Sequence, residues 1–349
     1  MPPTTPRPTE DIAFALGGLA GSNAHGAGFL QAAMDSGSHP QAISCTSGMV
    51  VWTAHYLAGQ DLAAIMGEMA RQSAPLPPPW EQWNSLLLGA VGVPGVFRPA
   101  WPEYWMRWFV PPGTPGPKAW ADRAFPAQRW VPTRAPEFFA FVSDTINAAD
   151  IGVIFNSYNP QLGVEYLYIN EAMRRLSRVE YGGTSDRGAV YRPVTPEAVE
   201  AALWLFGYGH ERRFGSEHLV DGAYHRQFIL SELAEGPRSS KPAALYVVRP
   251  QNLRWLGHLP HNQFEQQDLQ TEMSMNNTYV GQTSRIVLIN NLLKKGKLKK
   301  EDYRYIDVLT LEIDMQRGFF DYFVERQEVF DEARQRGAAL LQRQERAAA

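Results

Sequence analysis

Cysteine is all but missing from this chain. Cys45 is the only one in 349 residues, so no disulfide framework can form within the chain and no thiol-based metal site can be built. Such usage fits a reducing compartment. The eight histidines include no His-x-x-x-His pair with a neighbouring Glu, which leaves a zinc protease unsupported. No metal and no cofactor are expected. There is no G-x-x-x-x-G-K-[ST] phosphate loop. No G-x-G-x-x-G falls in the right frame, and no acidic residue closes the second strand about 20 residues on, so a dinucleotide site is disfavoured. Net charge is only −3, which gives no electrostatic reason to expect a nucleic-acid partner. The opening MPPTTPRPTEDIAFALGG lacks a basic stretch followed by a long apolar one, so no secretory signal is expected. No run of about 18 or more apolar residues suggests a membrane span. The expectation is a cytoplasmic protein.

What is present is ordinary for a globular chain: 44% hydrophobic and 20% charged residues. Residues 1–10 are rich in Pro and Thr and read as a disordered N-terminus. Ile12 to Leu16 reads as a buried strand ending in a tight turn at Gly17-Gly18. Residues 24–36 read as a helix stopped by Gly37. Ala42-Ile43-Ser44-Cys45 is a second short strand, Thr46-Ser47-Gly48 a turn, and Met49 the start of another helix. A strand–helix–strand–helix opening predicts an α/β fold with a mostly parallel sheet. Residues 75–136 differ: seven of the ten tryptophans fall there, with clustered prolines, which predicts an insertion without long helices. Ile151–Asn156, Glu165–Ile169, Ala243–Val248 and Tyr305–Ile313 read as strands. Thr195-Pro196-Glu197 reads as a helix start, and residues 316–346 as a long amphipathic helix.

Ser47 lies between a short strand and a helix. A sharp turn there exposes a hydroxyl, and the following helix turns its N-terminus toward developing negative charge. One strand earlier runs GGLAGSNAHGAG, whose glycines let backbone N–H groups face an oxyanion without side-chain obstruction. Asp221-Gly222-Ala223 ends a later strand, where a carboxylate can reach the serine and serve directly as its base. The order Ser47, Asp221, then His258 or His261 also fits an α/β-hydrolase triad. However, only 46 residues precede Ser47, room for about one strand–helix unit rather than the several that fold needs. His225 reads as a surface or packing residue, with lining the site as the alternative, His25 as helical and turned away, and Cys45 as a small buried packer.

These three pieces, in this order, resemble the patatin-like phospholipase family. FALGGLAGSNAHGAGFLQAA is similar to the family's strand, oxyanion loop and first helix, ISCTSGMVV to its nucleophile elbow, and VDGAYHRQF to its aspartate motif. PEAVEAALWLFGY looks like the helix before that motif. The resemblance covers roughly residues 11–60 and 150–250. It implies a three-layer α/β fold with a mostly parallel central sheet, a catalytic domain over 11–315 and a Ser–Asp dyad of Ser47 and Asp221. It also implies an oxyanion hole from the N–H groups of Gly18, Leu19 and Ala20. The chain departs from the family pattern where Cys45 and Met49 replace the glycines flanking the nucleophile. It departs again where Leu19 and Ala20 interrupt the loop glycines and Ser22 takes the basic position.

The expected substrate is a carboxylic ester, a lipid or other hydrophobic acyl ester. Trp101, Trp105 and Trp108 recur at helical spacing and give one aromatic face, either lining an acyl-chain pocket or lid or forming a satellite core. Lys294 to Lys300 is a basic run suited to an anionic lipid surface or to a solvated loop. The final helix carries Phe320, Phe323 and Phe330 with balanced charge, which points to packing on the domain or on a second subunit. Two alternatives to hydrolysis stay open: an acyltransferase on the same scaffold, and a non-catalytic lipid- or polymer-surface binding protein.

Overall fold

The computed structural model describes residues 8, 11–19, 23–72, 76, 80–83, 95–106, 116–124, 129–210, 212–234, 240–256, 258–313 and 324–348. Ten strands are formed among them: β1 (Ile12–Leu16), β2 (Ala42–Cys45), β3 (Phe97–Pro99), β4 (Trp130–Pro132), β5 (Gly152–Asn159), β6 (Val164–Ile169), β7 (Val190–Pro193), β8 (Val220–Asp221), β9 (Ala244–Arg249) and β10 (Asp307–Glu312). Eight make one sheet in the order β10-β9-β1-β2-β5-β6-β7, with β8 paired to β5; β3 and β4 form a separate hairpin. Pairing is parallel from β10 through β5 and between β6 and β7, and antiparallel where β5 meets β6 and β8. The fold is therefore α/β with a mostly parallel central sheet. Every residue of β1 and β9 is buried, as expected for parallel strands covered on both faces. One core lies on each face of that sheet, with Phe14 and Tyr246 in one and Ala13 and Leu245 in the other.

Helices α1 (Ala24–Ser36), α2 (Met49–Leu57) and α3 (Leu62–Gln72) follow the first strands. The small α4 (Trp101–Met106) and α5 (Pro117–Ala124) lie in the Trp-rich stretch, followed by α6 (Pro136–Ala148), α7 (Glu171–Ser177), α8 (Pro196–Ala202) and α9 (Ser231–Ala234). Two long helices complete the chain, α10 (Gln263–Lys294) and α11 (Gln327–Ala348). Helix α1 ends as its sequence predicts: Gly37 adopts φ 72°, and the N–H groups of Gly37 and Ser38 donate to Met34 and Ala33 carbonyls. Thr195 caps α8 by accepting from Ala198 N–H at 3.1 Å, with Pro196 in the first turn.

The C-terminal helix begins later than its sequence suggests. Residues 324–326 are non-helical and α11 starts at Gln327; Phe320 and Phe323 lie outside the described residues, and so, apart from Pro8, do residues 1–10. Phe330 is fully buried in the core that contains Phe14 and Phe29, so at least this part of α11 packs on the domain itself. The Lys294–Lys300 run closes α10: Gly296 takes φ 64°, the N–H of Lys297 donates to Leu292, and the lysines sit at the negative end of the helix. Among the described residues no helix is long and apolar enough to cross a membrane.

The sheet register sets up the site. Strand β2 runs parallel to β5, and their pairing ends with Ser44 opposite Ile154. Strand β8 lies on that same side of β5, because β6 occupies the other, and runs the opposite way with Asp221 opposite Ser157. The two chains approach head-on, and the turn after β2 faces the end of β8 across Asn156.

Candidate active site

Ser47 has φ 53°. A side-chain-bearing residue in the left-handed region costs roughly 1–2 kcal/mol, and among the described residues only Arg178 shares that condition. The strain turns the chain sharply from β2 into α2. The space for this turn comes from Gly18, where a Cβ would stand 2.1 Å from the Thr46 carbonyl oxygen and 2.7 Å from Ser47 Cβ. Met49, in place of a small residue after the serine, is accommodated by Gly26, which leaves no side chain where the Met49 sulfur packs. Cys45 is buried with a thiol pushed up to about 12 by desolvation, against which the Thr53 hydroxyl acts weakly. It is a neutral packing group.

Asp221 is fully buried. Its N–H donates to Trp204 O at 2.7 Å, and its Oδ1 accepts from Ala223 N–H at 2.8 Å. The Ser47 hydroxyl faces the carboxylate closely enough to favour its charged form, but Oδ2 lacks a hydrogen bond of full geometry. Burial raises the Asp221 pKa to about 7, with Ser47 and the Ala223 N–H pulling the other way. Gly222 is forced by contact: a Cβ there would lie 2.2 Å from the Asn156 side chain.

The carboxylate loop is anchored by groups that no motif announced. Asn156 Nδ2 donates to Glu165 at 2.7 Å and to the Arg226 carbonyl at 3.1 Å. Arg226 donates to both oxygens of Glu232, at 2.7 and 2.9 Å, and its Nε donates to Glu165 at 3.1 Å. All four side chains are buried. His225 stacks on Tyr158 with ring centroids 4.5 Å apart and planes 3° from parallel, the packing role its position suggested. His258 and His261 are exposed, with tilted rings 5.0 Å apart, whereas Ser47 and Asp221 are buried; no Ser–His–Asp triad is assembled among the described residues.

The glycine turn has its own partners. Gly18 N–H donates to Thr46 Oγ1 at 3.0 Å, Thr46 Oγ1 donates to the Gln227 carbonyl at 2.9 Å, and Gln227 Nε2 donates back to the Gly18 carbonyl at 3.0 Å. This buried ring ties the turn, the elbow and the aspartate segment together. Leu19 N–H donates to Asn23 Oδ1 at 3.2 Å. Two of the three expected oxyanion donors therefore hold protein acceptors, and Ala20 lies outside the described residues. His25, expected to face away, instead reaches the turn, with Nε2 2.9 Å from the Gly17 carbonyl.

Aromatic side chains lie beside Asp221. Trp101 is 40% exposed, while the Trp105 side chain and Trp108 lie outside the described residues. Tyr208 and Tyr224 are near enough to Asp221 that its charge adds to burial in raising their phenols. Phe206 and Tyr224 are 65% and 48% exposed, with rings 6.3 Å apart. The Trp-rich stretch joins this group through Trp130, stacked on Tyr208 at 4.3 Å, and Phe97, 5.3 Å from the same ring.

No protein-family model matches the chain, and no curated protein matches it.

Proposed function

We propose that the chain is a patatin-like serine acyl hydrolase acting on hydrophobic carboxylic esters, with Ser47 as nucleophile and Asp221 as base. The observation that carries this reading is the pair itself: a serine held at positive φ on a strand–turn–helix elbow, facing a buried carboxylate whose affinity for a proton has been raised into the neutral range. Ser47 Oγ attacks the ester carbonyl carbon, and its proton passes to Asp221 Oδ2. The tetrahedral oxyanion collapses, the C–O bond to the alcohol breaks, and Asp221 returns the proton to the leaving oxygen. Water then attacks the acyl-enzyme, giving its proton to Asp221; Ser47 Oγ departs and recovers it. A base with a pKa near the working pH suits both halves of the cycle.

The oxyanion forms next to the glycine turn. There Leu19 N–H, oriented by Asn23 Oδ1 at a long 3.2 Å, can share its bond with the oxyanion, whereas Gly18 N–H is integral to the ring that supports the elbow. The exposed pair Phe206 and Tyr224, backed by Tyr208 and Trp130, supplies apolar surface for the acyl or alcohol group. The patatin-like three-layer arrangement and a lid from residues 75–136 belong to this proposal.

The test is hydrolysis of medium-chain p-nitrophenyl esters by wild type, Ser47→Ala and Asp221→Asn. The account requires loss by several orders of magnitude in both variants, since members of a catalytic unit act together. The occupied N–H groups of Gly18 and Leu19 favour a second reading, a non-catalytic protein that binds a lipid or polymer surface. A folded wild type with no turnover that binds vesicles would decide for it.

A further inference from the structure

Glu325 is buried beneath the glycine turn, 302 positions away in the chain from the residue it serves. Both of its carboxylate oxygens accept from Asn23 N–H at 3.0 Å. The Ala24 N–H, the Trp52 indole N–H and the Asn23 amide also donate to it. These backbone groups are the first of α1, at the positive end of its dipole, where an anion is favoured. Burial nevertheless raises the Glu325 pKa to about 8, against all of those donors. The group is held there at a desolvation cost and is not part of the dyad.

Asn23 explains what Glu325 does. It stands at the N-cap position of α1, where an asparagine ordinarily accepts from the helix's own second or third N–H. Here its side chain makes no such bond; Oδ1 turns the other way and takes Leu19 N–H. Glu325 takes the N–H groups of Asn23 and Ala24, which lie ahead of those an N-cap side chain takes, and by also holding the Asn23 amide it leaves Oδ1 turned toward the glycine turn. The carboxylate is fixed by α11, which approaches α1 so closely that a Cβ on Gly28 would lie 2.2 Å from the Phe330 carbonyl oxygen. Arg334 adds a 2.7 Å bond to Asp35 on the same contact.

We propose that Glu325 is a positioning residue for the oxyanion turn: from the far end of the chain it holds the backbone N–H and the side-chain amide of Asn23, and so fixes the Oδ1 that sets the Leu19 N–H. This rests on Ser47 being the nucleophile. Without the carboxylate, the Asn23 amide loses its hold and the Leu19 segment loses its tether. Oxyanion contacts strengthen in the transition state, so the loss falls on kcat and leaves KM in place.

The experiment compares wild type, Glu325→Gln, Glu325→Ala and Arg334→Ala in ester hydrolysis, fluorophosphonate labelling rate and residue-resolved hydrogen exchange. Gln preserves volume but brings an NH2 group against the donors, so it decides the matter even where Ala fails to fold. The expected result for Glu325→Gln is a fall in kcat and labelling rate of about tenfold or more, KM within about twofold, and faster exchange at Leu19 N–H. Arg334→Ala, which loosens the same helix contact elsewhere, keeps wild-type kinetics. A folded Glu325→Gln with wild-type kcat, while Ser47→Ala is dead, overturns the role of Glu325 alone. Full activity in Ser47→Ala overturns the active-site reading and this inference with it.

Discussion

The α-carbon of Gly18 and the carbonyl oxygen of Thr46 are so close that a Cβ on Gly18 would stand 2.1 Å from that oxygen. The same pair is joined by the 3.0 Å bond from Gly18 N–H to Thr46 Oγ1. The glycine turn and the nucleophile elbow are thus one packed unit, and the positive φ of Ser47 is held from above by backbone.

Gly18→Ala places a methyl group against main chain rather than against a side chain that can move. The expected cost is about 3 kcal/mol or more, at the upper end for overpacking, together with loss of Ser47 reactivity. Urea unfolding with a parallel activity assay checks both.

The pH dependence of kcat/KM follows from the raised pKa of Asp221. The base must be unprotonated in the free enzyme, so the rate rises with pH through a single ionisation near 7 and levels above it. A profile flat from about pH 5 to 9 contradicts Asp221 as the base.

Asp221 also sets a stability trend. Its folded pKa lies above the unfolded value, so between about pH 4 and 7 the native state holds a proton that the unfolded chain has released, and stability falls as pH rises through that window. Asp221→Asn removes this penalty while keeping the bond from Ala223 N–H. The variant should be inactive yet more stable than wild type by about 2 to 4 kcal/mol at pH 8, with little difference at pH 4. Thermal unfolding at the two pH values checks it.

The buried arginine below the site predicts an asymmetric result. Arg226→Met leaves Glu165 and Glu232 buried without their cation and should cost about 3–5 kcal/mol. Adding Glu165→Gln and Glu232→Gln to the same protein should recover part of that loss. Denaturation midpoints of the single and triple variants give the comparison.

Much of this arrangement could be read from short-range patterns. The strand–turn–helix around Ser47, the Gly37 stop and the Thr195 cap depend on residues a few positions apart, and each formed as its neighbours dictate. The Asp221-Gly222 pair was legible as a turn, but its setting was not. Strand β8 is only two residues long and arrives antiparallel, a pairing decided by β5. Helix α10 was missed for a different reason. Its buried residues Tyr279, Ile286 and Leu293 are seven apart, while the apolar Val280, Val287 and Leu288 between them are exposed. Gln282 and Asn290 are buried because they satisfy the backbones of Leu230 and Ile306. Periodicity sees polar side chains as exposed. The roles of Arg226 and Glu325 were hidden likewise, since a buried charge is legible only when its partners are known.

The most direct test of the central claim is fluorophosphonate labelling followed by peptide mapping, on wild type, Ser47→Ala and Asp221→Asn at pH 8. The account predicts a single adduct on Ser47 in the wild type, none in Ser47→Ala and a labelling rate reduced by orders of magnitude in Asp221→Asn. An adduct on another residue, or equal labelling of Ser47 with and without the Asp221 carboxylate, contradicts it.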